Sequence, residues 1–230
     1  LETTSQQTES NYPDFYVDPN NIPPPETLTK AQKEFFVLFG IVVAGKTAKT
    51  QVKKLCEFLN GEGSPFEQVR TMEANGTLES NAKAVKLGQY TRILHAIEMA
   101  SYLDVDDELS VYNLELIKGI GPKTARFVML YTDPDPQADY IPLDTHVLKF
   151  LKTQKVANVP KATPSNPKHY RRLEKEFRRI AKEKGLTIRQ LDTIAWQRYT
   201  RDRAKMVKFV AERSLKTIKN LDRIGAAVVV

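Results

Sequence analysis

Leu114-Glu115-Leu116-Ile117-Lys118-Gly119-Ile120-Gly121-Pro122-Lys123-Thr124-Ala125-Arg126-Phe127-Val128-Met129 is the stretch that decides the fold. A short Asp/Pro-rich loop follows it, and then Ile141-Pro142-Leu143-Asp144-Thr145-His146-Val147. Apolar Leu114, Leu116 and Ile117 precede the glycines, and Ala125, Val128 and Met129 follow at helical spacing. Two glycines around one apolar residue permit a tight turn between helices, because glycine tolerates φ > 0. Pro122 suits the first turn of the second helix, where a missing N–H costs nothing.

Unpaired N–H groups at that helix start, beside a turn without Cβ atoms, make an anion site. The pattern is therefore a helix-hairpin-helix, which holds a nucleic-acid backbone without reading bases. A plain helix–helix turn is the alternative for Gly119-Ile120-Gly121 taken alone. Lys123 sits near the start of the second helix, where the helix dipole opposes a cation. That opposition, with partial burial, favours the neutral amine needed for nucleophilic attack; a phosphate-contacting or solvated lysine is the other reading. Asp144 precedes an amphipathic run and is a preferred N-cap, so capping competes with a catalytic role. An amine and a carboxylate on two helix starts, joined by one helix and one loop, are expected to face a common cleft.

Gly-Ile-Gly-Pro-Lys-Thr-Ala followed by Pro-Leu-Asp-Thr-His-Val resembles the signature of the helix-hairpin-helix DNA glycosylase superfamily of base-excision repair. That superfamily includes endonuclease III, the adenine glycosylases and the 8-oxoguanine glycosylases. The resemblance covers most of residues 30–200 and is specific in 114–151. It places Lys123 where bifunctional glycosylase/lyases carry their Schiff-base lysine, and Asp144 where they carry the catalytic carboxylate. Gly119, Ile120, Gly121 and Lys118 are expected at the DNA backbone. Gly45 and Lys46 lie where relatives fill the gap left by an extruded base, although neither is the usual Gln or Asn. Gln89 and Tyr90 fall in a second DNA-probing loop. Trp196 and Gln197 lie where 8-oxoguanine glycosylases contact the base; a buried core Trp is the competing reading.

Composition bounds these expectations. The chain has 230 residues, 41% hydrophobic and 27% charged, with a net charge of +7. An acidic partner fits that charge. The single cysteine, Cys56, excludes a disulfide within the chain and a four-thiolate cluster such as several endonuclease III relatives carry. The cluster-free 8-oxoguanine glycosylases are the better company. No metal or organic cofactor is expected. No membrane span and no secretion signal is expected. The resemblance implies a monomer acting on double-stranded DNA with a damaged base, in the cytoplasm and nucleoid or in the nucleus.

The remaining chain is read as all-α. Residues 1–26 form an extended leader that Phe15 and Tyr16 anchor. Residues 27–223 form a bilobal helical fold with a DNA cleft between the lobes. One lobe spans about 41–140 and the other combines 27–40 with 141–223; residues 224–230 are an apolar tail. Thr29 is the expected cap of the first helix. Residues 40–47 match the phosphate-loop pattern Gly-x-x-x-x-Gly-Lys-Thr. Their intervening Ile-Val-Val-Ala suits a core element better than a loop bent around phosphate, and no strand is expected before them. Ile93, Leu94, Ile97 and Met99 are read as one apolar helix side, with His95 at the core edge. From Lys168, Tyr170, Leu173, Phe177 and Ile180 are read as inside; Arg171, Arg172, Lys175, Arg178, Arg179 and Lys182 are outside, as a solvated or DNA-flanking face. A last helix is expected over 204–223. The expected activity is removal of a damaged base, first 8-oxoguanine and second an oxidised pyrimidine, with strand nicking. A non-catalytic DNA-binding module is the rival of another class.

Overall fold

A computed structural model describes residues 12–199; the helix expected over 204–223 and the tail 224–230 lie outside them. Among the described residues all regular structure is helical, ten α-helices and one 3-10 turn at Pro25–Thr27. They fall into two compact units that divide between Pro142 and Leu143.

The first unit is built on α1 (Lys30–Val43). Its start is fixed by a capping box: Thr29 Oγ1 accepts from Gln32 N–H, and Gln32 Oε1 accepts from Thr29 N–H. Every residue from Glu34 to Val42 is buried, so α1 has no solvent face over that run. It packs against α2 (Ala48–Phe58), α3 (Pro65–Ala74), α5 (Tyr90–Ala100) and α7 (Pro122–Thr132). Burying side chains the size of Phe35, Phe36, Leu38 and Ile41 contributes about 1.5–3 kcal/mol each, as an upper estimate. Residues 27–40 were expected to join 141–223; α1 instead packs within the first unit. An all-round apolar helix needs partners on every side, and α2, α3, α5 and α7 supply them.

Two details set α7 against α1. Phe36 meets Phe127 and Tyr131 with ring centroids 5.3 and 5.9 Å apart. A Cβ on Gly40 would lie 2.7 Å from Val128 Cγ2, so the helices approach too closely for any side chain there. Gly40, Ile41 and Val42 are helical and buried or packed, which removes the phosphate-loop reading of 40–47. Glu34, buried on α1, accepts from Phe66 N–H at the start of α3, whose Ser64 also forms a capping box. The short helix α4 (Leu78–Ala84) precedes α5, and α6 (Val111–Leu116) packs on α7. In α5, Ile93 and Ile97 are buried, but Met99 is 42% exposed and His95 is exposed. Two residues past Ile97 is over half a helical turn, which carries Met99 away from the core. Phe15 and Tyr16 both meet the Phe35 ring, anchoring the described end of the leader.

The second unit contains α8 (Thr145–Thr153), α9 (Pro167–Glu183) and α10 (Ile188–Tyr199), with α10 packed on both others. Tyr170, Leu173, Phe177 and Ile180 are buried on one side of α9, as the spacing predicts. Arg171, Lys175, Arg179 and Lys182 are exposed, whereas Arg172 and Arg178 are half-buried. Arg179 pairs with Glu176 and Glu183, so part of that basic face is neutralised internally.

Candidate functional site

In the first unit, three connectors meet: residues 44–47 before α2, 85–89 before α5, and 117–121 before α7. The turn before α7 is closed by Ile120 N–H donating to the Ile117 carbonyl, with both side chains buried. Glu115 on α6 pairs with Arg126 on α7 at 2.5 Å, bridging the two packed helices. The two glycines of the turn have different duties. Gly119 has φ 106°, and a Cβ there would stand 2.6 Å from the Arg92 carbonyl oxygen and 3.2 Å from Ala96 Cβ. No other residue fits that backbone at that distance. Gly121 has φ −102° and nothing within 4 Å of where its Cβ would be. Of the two glycines that permit the turn, only Gly119 uses a positive φ. Gly121 is exposed over open space at the start of α7.

The other two connectors close onto the same place. Lys46 Nζ donates to the Leu87 carbonyl and, at 3.2 Å, to that of Gly88. Gln89 Nε2 donates to the Ala44 carbonyl at 3.4 Å. Gln89 is held in the left-handed region at φ 55°, uncommon for a residue with a side chain. Arg92 ties two of the connectors to the last turn of α1. Its Nε donates to Gln89 Oε1 at 2.9 Å, one Nη to the Gly119 carbonyl at 3.0 Å, and the other to the Ile41 carbonyl at 2.8 Å. The sequence places Arg92 at the end of the DNA-probing stretch 85–92 and assigns it no role of its own. The available signal was a cation in the first turn of a helix, where the dipole disfavours it.

Charge and helix ends reinforce one another here. Burial lowers the affinity of Lys46 for its proton, and the nearby Arg92 and Lys54 lower it further. Burial alone does the same to Arg92. Helices α2, α5 and α7 begin without a side-chain cap, as does short α4, whereas α1, α3, α6, α8 and α9 each begin on one. Three helix starts with uncapped N–H groups and two embedded cations make a surface suited to anions. Gly45, Gln89, Lys118 and Gly121 are exposed on these connectors; Lys46 and Tyr90 are half-buried, and Ile120 is core. Lys123 is half-buried at the second position of α7.

In the second unit, Asp144 caps α8. Its Oδ1 accepts from His146 and Val147 N–H, both at 2.8 Å. Leu143 is pinned on both sides: its N–H donates to the Tyr170 hydroxyl at 3.2 Å, and its carbonyl accepts from the Thr163 hydroxyl at 2.7 Å. The Asp144 carboxylate is thus set by its own helix and by the backbone before it. His146 meets Trp196 edge-on, with ring centroids 5.7 Å apart. Burial lowers the His146 pKa, partly opposed by the Asp144 charge, which favours neutral imidazole. Its buried Nδ1 has no hydrogen-bond partner among the described residues. Trp196 and Gln197 are half-buried, so Trp196 is not the fully buried core residue that its type suggested.

Among the described residues no group of three or more His, Cys, Asp or Glu is placed to hold a metal ion. No described helix is long and apolar enough to cross a membrane. Comparison with protein-family models, with curated proteins and with solved structures returned no match.

Proposed function

We propose that this chain is a base-excision DNA glycosylase with lyase activity, acting on double-stranded DNA that carries a damaged base, with 8-oxoguanine the first candidate. The observation that carries the reading is the linking of three connectors by Arg92, Gln89 and Lys46. The segments around Gly45–Lys46 and Gln89–Tyr90 are expected at DNA from sequence resemblance, and Gly119–Gly121 from its glycine turn as well; hydrogen bonds link all three, at helix starts without side-chain caps and beside the half-buried cations Lys46 and Arg92. Such a surface suits phosphodiesters, whose charge favours helix N-termini and whose size needs the open space over Gly121.

The chemistry follows the resemblance. A base within the stack is inaccessible, so the nucleotide is extruded. The Lys123 amine attacks the sugar C1′, and the glycosidic bond breaks with its electron pair leaving on the base, which takes up a proton. The amine loses its protons as the sugar ring opens to an imine. Loss of a C2′ proton then expels the 3′ phosphate and nicks the strand. Asp144 stabilises positive charge developing on the sugar. This step requires the neutral amine at Lys123, the half-buried second residue of α7.

One observation favours the non-catalytic alternative: Asp144 is engaged as a helix cap, a role that needs no chemistry. A panel of duplexes, each holding one lesion, separates the readings. Excision of a single class of base, with nicking, is expected. Binding to every duplex without release of any base would leave the binding module.

A further inference from the structure

We propose that Arg92 is the positioning residue that fixes the connectors before α5 and α7 against the end of α1, and through Gln89 the connector before α2, so that duplex phosphates are engaged by all three together; this rests on the DNA-binding reading above. Its guanidinium reaches one acceptor on each side of the surface: the Ile41 carbonyl at the end of α1, the Gln89 amide before α5, and the Gly119 carbonyl before α7. Only a planar fork with several fixed N–H donors serves three acceptors lying in different directions. Arg92 grips the turn a second time through its backbone, since its carbonyl oxygen sits where a Gly119 side chain would begin. The distance between the turn and α5 is therefore set from both the main chain and the side chain of one residue.

The acceptors are all neutral, and among the described residues no carboxylate pairs with Arg92. A half-buried cation without a counter-charge is costly to the free protein. An external anion would offset that cost: the positive potential stands beside Lys46 and the uncapped starts of α2, α5 and α7. Gln89 extends the same brace outward. Its amide is held between Arg92 and the Ala44 carbonyl, which keeps an exposed side chain and a left-handed backbone in one orientation.

The test uses Arg92→Lys, which conserves net charge but removes the fork. Affinity for a fluorescently labelled undamaged duplex is measured over a salt series, with thermal unfolding recorded on the same samples. The slope of log affinity against log salt reports phosphates engaged, at about −0.9 for each. The folded variant is expected to bind about tenfold more weakly at low salt, with the slope reduced by about two phosphates. A residue that only supports folding, or only adds charge, leaves that slope unchanged. Wild-type affinity, or an unchanged slope, in folded Arg92→Lys overturns the proposal. If Arg92→Lys does not fold, Gln89→Ala removes one of the three anchored groups from an exposed site. It is expected to reduce the slope by about one phosphate, and a wild-type slope then overturns the proposal. Wild-type protein without salt-sensitive duplex binding would instead remove the DNA-binding reading itself.

Discussion

Replacing the two glycines of the turn separately tests the division of labour between them. Gly119→Ala forces a side chain into φ 106° and sets its Cβ 2.6 Å from a backbone oxygen. The disfavoured backbone costs about 1–3 kcal/mol. The overlap costs about 1–3 kcal/mol more, because relief requires the first turn of α5 to move. Against a typical total stability of about 5–15 kcal/mol, the sum is large. For a chain of this size each kcal/mol lowers the melting temperature by about 2–4 °C, so a fall of roughly 5–20 °C is expected. Gly121→Ala meets no atom and needs no unusual φ, so its stability is expected within about 1 kcal/mol of wild type. Its duplex affinity is nevertheless expected to fall, since the methyl occupies the space over the α7 start. Circular-dichroism melts and duplex titrations of both variants decide the matter. Gly119→Ala melting with wild type, or Gly121→Ala losing as much stability as Gly119→Ala, would refute the assignment.

Asp144→Asn keeps a side-chain oxygen for the two N–H groups of α8, so folding should change by less than about 1 kcal/mol while base release slows by about 10²-fold or more in single-turnover assays. Equal turnover would leave Asp144 a cap alone. His146 has a pKa depressed by burial, so the unfolded chain binds a proton that the folded chain resists. Stability should therefore fall as pH drops below the ordinary histidine value of about 6.5, and His146→Phe should flatten that slope in denaturant titrations between about pH 7 and 5. A slope that persists in the variant would place the titration elsewhere.

Much of the architecture was legible because it is written locally. Thr29 announces the cap of the first helix, and the strict apolar spacing of Tyr170, Leu173, Phe177 and Ile180 announces an amphipathic helix. What was not legible depends on distant chain. Nothing in Gly119-Ile120-Gly121 distinguishes the first glycine from the last; the carbonyl of Arg92 does, and it is far away in sequence. Arg92 itself was hidden because two of its three partners are main-chain carbonyls, which leave no mark in residue type. The run from Phe35 to Val42 signals burial but cannot say against what, so the partners of α1 were misassigned. Trp196 read as core by its type, yet it is half-buried and meets His146 edge-on.

The most direct measurement is covalent trapping at Lys123. Borohydride added during turnover on a duplex with one 8-oxoguanine should reduce the imine at C1′ and join protein to DNA. Lys123→Gln should abolish that adduct while retaining duplex binding, because an amide nitrogen is not nucleophilic and the phosphate contacts lie elsewhere. An adduct that survives Lys123→Gln, or base excision by wild-type protein with no adduct at all, would contradict the assignment of Lys123 as nucleophile.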